Sequence, residues 1–242
     1  MTAAGRAQVL DSAADVFAAA FAWAAQFGVQ TALGTETPLH VQPASAVYEG
    51  IFEHLAAVLG GNLTYYWMWT PEGYQWNHYP KSSPQWQAAI TDMLAAYAVW
   101  NRTAANGAAR WPFQLATAGW TLGPGDDTAY LDTVLPADVA ALSSLVHRVG
   151  RNATDGNFAR VTRHGKWLMP WMESDDALGW PELWVNRTLH QAHNASAMGV
   201  QGLIGLHWRT QVPPGKKRRK KRKERRREER ARRKRKKERR EK

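Results

Sequence analysis

Five short runs, rich in β-branched, aromatic and small apolar residues, alternate along the chain with segments of helical spacing, and this alternation limits the fold most. The runs are "VQTALGTE" (29–36), "LTYYWMWT" (63–70), "FQLATAG" (113–119), "KWLMPWMES" (166–174) and "GLIGLHWR" (202–209). They carry few charges until their ends, as strands buried on both faces do. Helical spacing marks 11–28, 45–60, 82–100, 136–150 and 181–199. The segment 82–100 opens on serines and a proline, and the last two begin on proline and stop on glycine, the usual punctuation of helix ends. Five such alternations predict an α/β protein with a parallel sheet. No strand runs into G-x-G-x-x-G and no phosphate loop occurs, which argues against a nucleotide-binding doubly wound sheet. The expected architecture is an incomplete (β/α)8 barrel of about five βα units, because a whole barrel needs eight strands and about 250 residues. The missing strands would lie on a longer parent protein; a smaller open sheet is the alternative.

The barrel domain is expected over 1–212, where "QVPPG" breaks the pattern and a Lys/Arg-rich tail, 213–242, begins. From 216 to 242 stand 21 of the 32 Lys+Arg and 5 of the 21 Asp+Glu, so the other 11 basic and 16 acidic groups leave residues 1–215 at −5. A mildly acidic folded part has no electrostatic footprint for nucleic acid. The tail has no recurring apolar position and is expected to be disordered or a solvated charged helix, able to attract polyanions. Its structural alternative is a low-complexity extension without a partner. There is no cysteine, which excludes disulfides, thiolate metal sites and cysteine nucleophiles. The apolar stretch 13–28 is broken by Asp15 and Gln26 and is too short to span a bilayer; no signal peptide is read there.

Five of the eight asparagines sit in N-x-Ser/Thr patterns: Asn62, Asn101, Asn152, Asn186 and Asn194. Chance gives roughly one, so the pattern points to N-glycosylation and an extracellular or secretory-pathway location. A nuclear location, suggested by the tail alone, is the alternative.

Alternation assigns the faces of the strands. Gln30, Ala32, Gly34 and Glu36 share one face of the first, and Tyr65, Trp67 and Trp69 one face of the second. Glu72, Tyr74 and Trp76 follow the second strand, and Trp120 follows the third with Asp126 and Asp127 in a glycine-rich loop. Trp167, Met169, Trp171, Glu173 and Asp175 share a face of the fourth, with Asp176 beside them, and Gly205, His207 and Arg209 one face of the fifth. Every strand end therefore carries a tryptophan, a carboxylate or a His/Arg pair, and the opposite ends carry nothing comparable. Barrel sites are built at the carboxyl ends of strands. Aromatic faces stack on sugar rings while carboxylates and arginine fix hydroxyls, and paired carboxylates cleave glycosidic bonds. The candidate catalytic acids are Glu36, Glu72 and Glu173; which is acid and which is base or nucleophile stays open. Trp69, Tyr74, Trp76, Trp120, Trp171, Asp175, Asp176, His207 and Arg209 are the candidate substrate contacts. No cofactor is expected, and His190 with His193, an i, i+3 pair without a third ligand, does not make a metal site. The structural alternatives are plain: Glu36 bound to loop amides, Glu72 a solvated turn residue, Asp175 and Asp176 helix caps, and Arg209 an ion-pair partner. Trp23, Trp86, Trp100 and Trp184, on helices, are expected to pack against the sheet.

"ALGTETP", "YYWMWTPEGYQW", "KWLMPWMESDD" and "GLIGLHWRT" together resemble the barrel module of glycoside-hydrolase-like proteins in large extracellular proteins of algae and bacteria, often beside malectin- or discoidin-type domains. The resemblance covers 29–210 and implies a (β/α)8 fold with carbohydrate as ligand. A GGDE-like run, the mark of hexosaminidases, is absent. The expected function is a glycoside hydrolase or a degenerate glycosidase. The alternatives are a non-catalytic glycan-binding or extracellular-matrix protein, and a nucleic-acid-associated protein acting through the tail.

Overall fold

The computed structural model describes residues 3–39, 41–70, 78–103, 107–146, 154–170 and 185–204. All of them belong to one unit, Met1–Trp171 with Trp184–Leu206, and the tail lies outside the described residues. The order is α1 (Ala3–Gln26), β1 (Ala32–Glu36), α2 (Ala44–Leu59), β2 (Tyr65–Thr70), α3 (Pro84–Trp100), β3 (Gln114–Gly119), α4 (Tyr130–Val134), β4 (Ala141–Val146), β5 (Gly165–Pro170), α5 (Val185–Ala197) and β6 (Gly202–Leu203). Short 3-10 turns occupy Gly60–Asn62 and Gly156–Arg160. No helix of the described residues is long and apolar enough to cross a membrane.

The strands form two three-stranded parallel sheets, β1-β2-β3 and β4-β5-β6, each in chain order. Ala140 N donates to Leu115 O at 2.8 Å and Ser143 Oγ to Thr117 O, which sets β4 beside β3. The expected α/β class with parallel strands is thus present.

One face of β2 and β3 meets the helices. Tyr66, Met68 and Leu115 are fully buried there against Tyr48, Phe52, Leu55 and Leu59 of α2 and Trp86, Ile90 and Met93 of α3. The α2 residues recur at helical spacing, so the sequence alone places a single apolar stripe over the sheet. Ser83 caps α3, accepting from Trp86 N at 3.3 Å, and Pro84 follows it as the first helical residue, as helix entry favours.

The other face is lined by large rings over small neighbours. Gly34 stands opposite Trp67, which stands opposite Ala116; Ser143 stands opposite Trp167, which stands opposite Gly202. A Cβ on Gly34 would come within 1.7 Å of Trp67 Cδ1 and 1.8 Å of its carbonyl oxygen, and one on Gly202 within 2.5 Å of Trp167 Cδ1. Each glycine makes room for an indole lying across it. Gly34→Ala is therefore expected to lower stability by about 1–3 kcal/mol or more, read as a lower urea midpoint; an unchanged midpoint would contradict this packing. The rings of Tyr65 and Trp167 meet edge-on at 4.5 Å. Side chains from β2 and β5 touch although two strands lie between them, so the inner faces of the two sheets turn toward each other.

Three expectations need correction. Residues 136–146, the described part of the expected helix 136–150, are not helical: 141–146 is the strand β4, giving six strands rather than five among the described residues. Ala141, Leu142, Ser143 and Ser144 are all buried, so the strand is covered on both faces, and its paired serines mimic the polar side of a helix. The helical return before it shrinks to α4, five residues long. Finally, Trp23 is 65% exposed, because α1 packs on α2 and the turn Gly60–Asn62 and reaches the core through residues such as Ala18 and Phe21. Trp86 is buried and Trp100 packs on the core as expected, while Trp184 lies outside the described residues.

A buried polar knot fixes the start of β5. Asp132 accepts from Thr162 N at 2.9 Å, from Arg163 N at 3.1 Å and pairs with His164 Nδ1 at 2.8 Å. His164 Nε2 lies 2.9 Å from Pro136 O, and Arg163 Nη1 donates to the carbonyls of Asp132 and Thr133. Burial pushes the Asp132 carboxyl upward, but the Thr162 amide, the His164 ring and the Arg163 amide outweigh it and hold the group below its ordinary value.

Candidate functional site

The carboxyl ends of β1, β2 and β3 bring three of the candidate residues into one row. Glu36 is the last residue of β1 and stands in register with Trp69 of β2, which stands in register with Ala118 of β3; Trp120 follows β3 directly. Neighbouring strands lie about 4.8 Å apart, so the carboxylate and the first indole are adjacent on the inner face. Trp69 and Trp120 are half-buried and Glu36 is exposed. Trp67 packs edge-on against Trp69, with ring centres 5.6 Å apart, and both pack with Trp120 and Ile204 around the buried Ala118 and Met169.

Hydrogen bonds tie these strand ends together. Thr37 donates to Trp69 O through both its amide and its hydroxyl, each at 2.9 Å. Trp120 N donates to Thr70 Oγ1 at 3.2 Å. Thr35 Oγ1 and Tyr66 OH share a bond of 2.6 Å on the helix side of the sheet. The turn after Glu36 is pinned from below by Asp92 of α3, whose Oδ2 accepts from Leu39 N at 3.1 Å and from Tyr48 OH at 2.7 Å. Burial, reinforced by the Asp92 carboxylate, raises the Tyr48 phenol far above its ordinary value, so this hydroxyl stays a donor. The Glu36 carboxylate makes no hydrogen bond or ion pair among the described residues. The tied-down loop carboxylate, one of the two ways to read Glu36 from sequence, is not what stands there.

The glycine-rich loop after β3 has a different job. Asp126 Oδ1 accepts from Lys81 N at 2.9 Å, and Asp127 pairs with Lys81 Nζ at 3.1 Å and Arg160 Nη2 at 3.8 Å. These carboxylates join surface loops and point to no ligand. Glu72, Glu173, Tyr74, Trp76, Trp171, Asp175, Asp176, His207 and Arg209 lie outside the described residues. Among the described residues, no group of three His, Asp or Glu is placed to hold a metal ion. His190, of the His190/His193 pair, instead meets Asn194 Nδ2 at 3.3 Å.

Of the acceptor asparagines, Asn62 and Asn101 are exposed and Asn194 is half-buried. Asn186 lies within α5, and Asn152 lies outside the described residues. Sequence reasoning missed Asp92. The signal was present as a lone carboxylate within the apolar run "AAITDMLAA", where a buried charge needs partners.

A half-buried pair of indoles beside an unengaged carboxylate can hold a ring with one apolar face and a rim of hydroxyls. No family model, curated protein or solved structure matches the chain.

Proposed function

We propose that this is a carbohydrate-active α/β protein whose six parallel strands belong to a (β/α)-barrel wall. The observation that carries the reading is Glu36, free of polar partners, in a row with Trp69 and Trp120 at the carboxyl ends of three neighbouring strands. The indoles stack on a sugar ring and the carboxylate accepts from its hydroxyls. Chain-order parallel strands, and inner faces that turn toward each other at Tyr65 and Trp167, support the barrel. Hydrolysis would pair Glu36 with Glu72 or Glu173, at about 5–5.5 Å for retention or about 6.5–9.5 Å for inversion.

Glycan binding without cleavage is the second reading. A general acid is kept protonated by burial, and Glu36 is exposed; it suits a hydroxyl acceptor.

Calorimetric titration of the full chain with cello-, chito-, xylo- and laminarihexaose tests the proposal. Saturable binding of at least one sugar is expected, weakened about tenfold, or about 1.4 kcal/mol, by Trp69→Ala. Glu36→Gln is expected to cost a similar factor, since a hydrogen bond to a charged group contributes about 1.5–3 kcal/mol. Unchanged affinity in both variants would contradict it. Release of new reducing ends by the wild type but not by Glu36→Gln selects the hydrolase; binding without release selects the second reading.

A further inference from the structure

We propose that the amino-end rim of the sheet is the N-glycosylated face of this protein, with Asn62 and Asn101 as the acceptors. Sequence alone scatters the acceptor patterns between 62 and 194; the fold gathers three of them. Asn62 closes the turn Gly60–Asn62 just before β2. Asn101 caps the end of α3, and that end lies against the start of β3: Trp100 Nε1 donates to Phe113 O at 2.7 Å, and Trp111 Nε1 to Val99 O at 3.0 Å. Asn194 lies in the last turn of α5, which is bound to the start of β5 through Lys166 Nζ and Met198 O at 3.0 Å. A strand of six residues separates this rim from Trp69 and Trp120 by about 17 Å, so glycans here leave the carboxyl ends open.

The two named acceptors also meet the local requirement. Both are exposed, and neither side-chain amide has a hydrogen bond among the described residues. Asn194 is set aside, because it is half-buried and its amide is engaged by His190. In the transfer, Nδ2 of the asparagine bonds to the anomeric carbon of a polyprenyl-pyrophosphate-linked oligosaccharide. The anomeric C–O bond breaks, the polyprenyl pyrophosphate leaves with the electron pair, and one Nδ2 proton passes to a base of the transferase. Both faces of the chemistry are polar and bulky, which suits an exposed turn and a helix end.

The full chain, recovered from the cells that make it, is treated with peptide N-glycosidase in heavy-oxygen water and mapped by mass spectrometry. Labelled aspartate is expected at positions 62 and 101, and Asn62→Gln and Asn101→Gln should each remove one step of gel mobility. Absence of label at either position would overturn the inference. The sugar-binding titration, run on chain before and after deglycosylation, reads the other proposal separately. Binding with unlabelled asparagines sinks only the glycosylated rim, and label without binding sinks only the carbohydrate site.

Discussion

Asp132→Asn is expected to lower the unfolding free energy by about 1.5–3 kcal/mol, the worth of hydrogen bonds to a charged group lost inside the fold. Four groups converge on this carboxylate, the amide and hydroxyl of Thr162, the Arg163 amide and the His164 ring. An asparagine would turn an N–H toward at least one of them. A loss of that size is a large part of the 5–15 kcal/mol available to a typical domain. The effect should depend on pH. The folded-state carboxyl is held below its ordinary value, so its contribution is present above the unfolded value of about 3.9 and fades as pH falls through the folded one. Urea midpoints of wild type and variant should therefore lie far apart at pH 6 and converge toward pH 3. A constant gap across that range would contradict an ionised Asp132 in the fold.

Phe52→Ala carries the second large effect, about 3–5 kcal/mol. Phe52 is fully buried, with ring centres 4.8 Å from Tyr66, 5.3 Å from Phe113, 5.6 Å from Trp111 and 5.8 Å from Tyr48. All four contacts are edge-on or tilted, at 46–78°, geometries that add to plain burial. Removing the ring leaves a cavity shared by α2, β2 and the entry to β3. Thermal unfolding should shift downward by several degrees, with Phe52→Leu between the two. A shift in Phe52→Ala no larger than that of an exposed substitution would mean that the helices do not share one core with β2.

The parallel α/β character was legible because β1, β2, β3 and β5 lie in short runs of apolar, aromatic or small residues with few charges, alternating with segments of helical spacing. β4 was not, because Ser143 and Ser144 lie buried between neighbours and their polarity reports nothing about exposure. Trp23 misled for the opposite reason: an apolar residue on a helix reads as core, yet α1 packs on α2 and the turn Gly60–Asn62 and reaches the core through Ala18 and Phe21, leaving Trp23 65% exposed. In the site, alternation placed Glu36 and Trp69 correctly at a strand end. The support beneath them was not legible. Asp92 acts across 53 residues on Leu39 and across 44 on Tyr48, and no local pattern encodes such a contact. The pairing of Gly34 with Trp67 was half legible, since small inner residues were expected but the indole that fills the space belongs to the next strand.

The central claim is that Trp69 and Trp120 face a sugar, and footprinting of tryptophan oxidation reads it most directly. The full chain is oxidised with N-bromosuccinimide in the presence and absence of the hexaose that binds best, and each tryptophan peptide is quantified. Trp69 and Trp120 should be protected by the sugar, while Trp23, 65% exposed on α1 and remote in role from the strand ends, should oxidise at the same rate in both samples. Equal oxidation of Trp69 and Trp120 with and without sugar, or protection of Trp23 to the same degree, would contradict a carbohydrate site at the carboxyl ends of the strands.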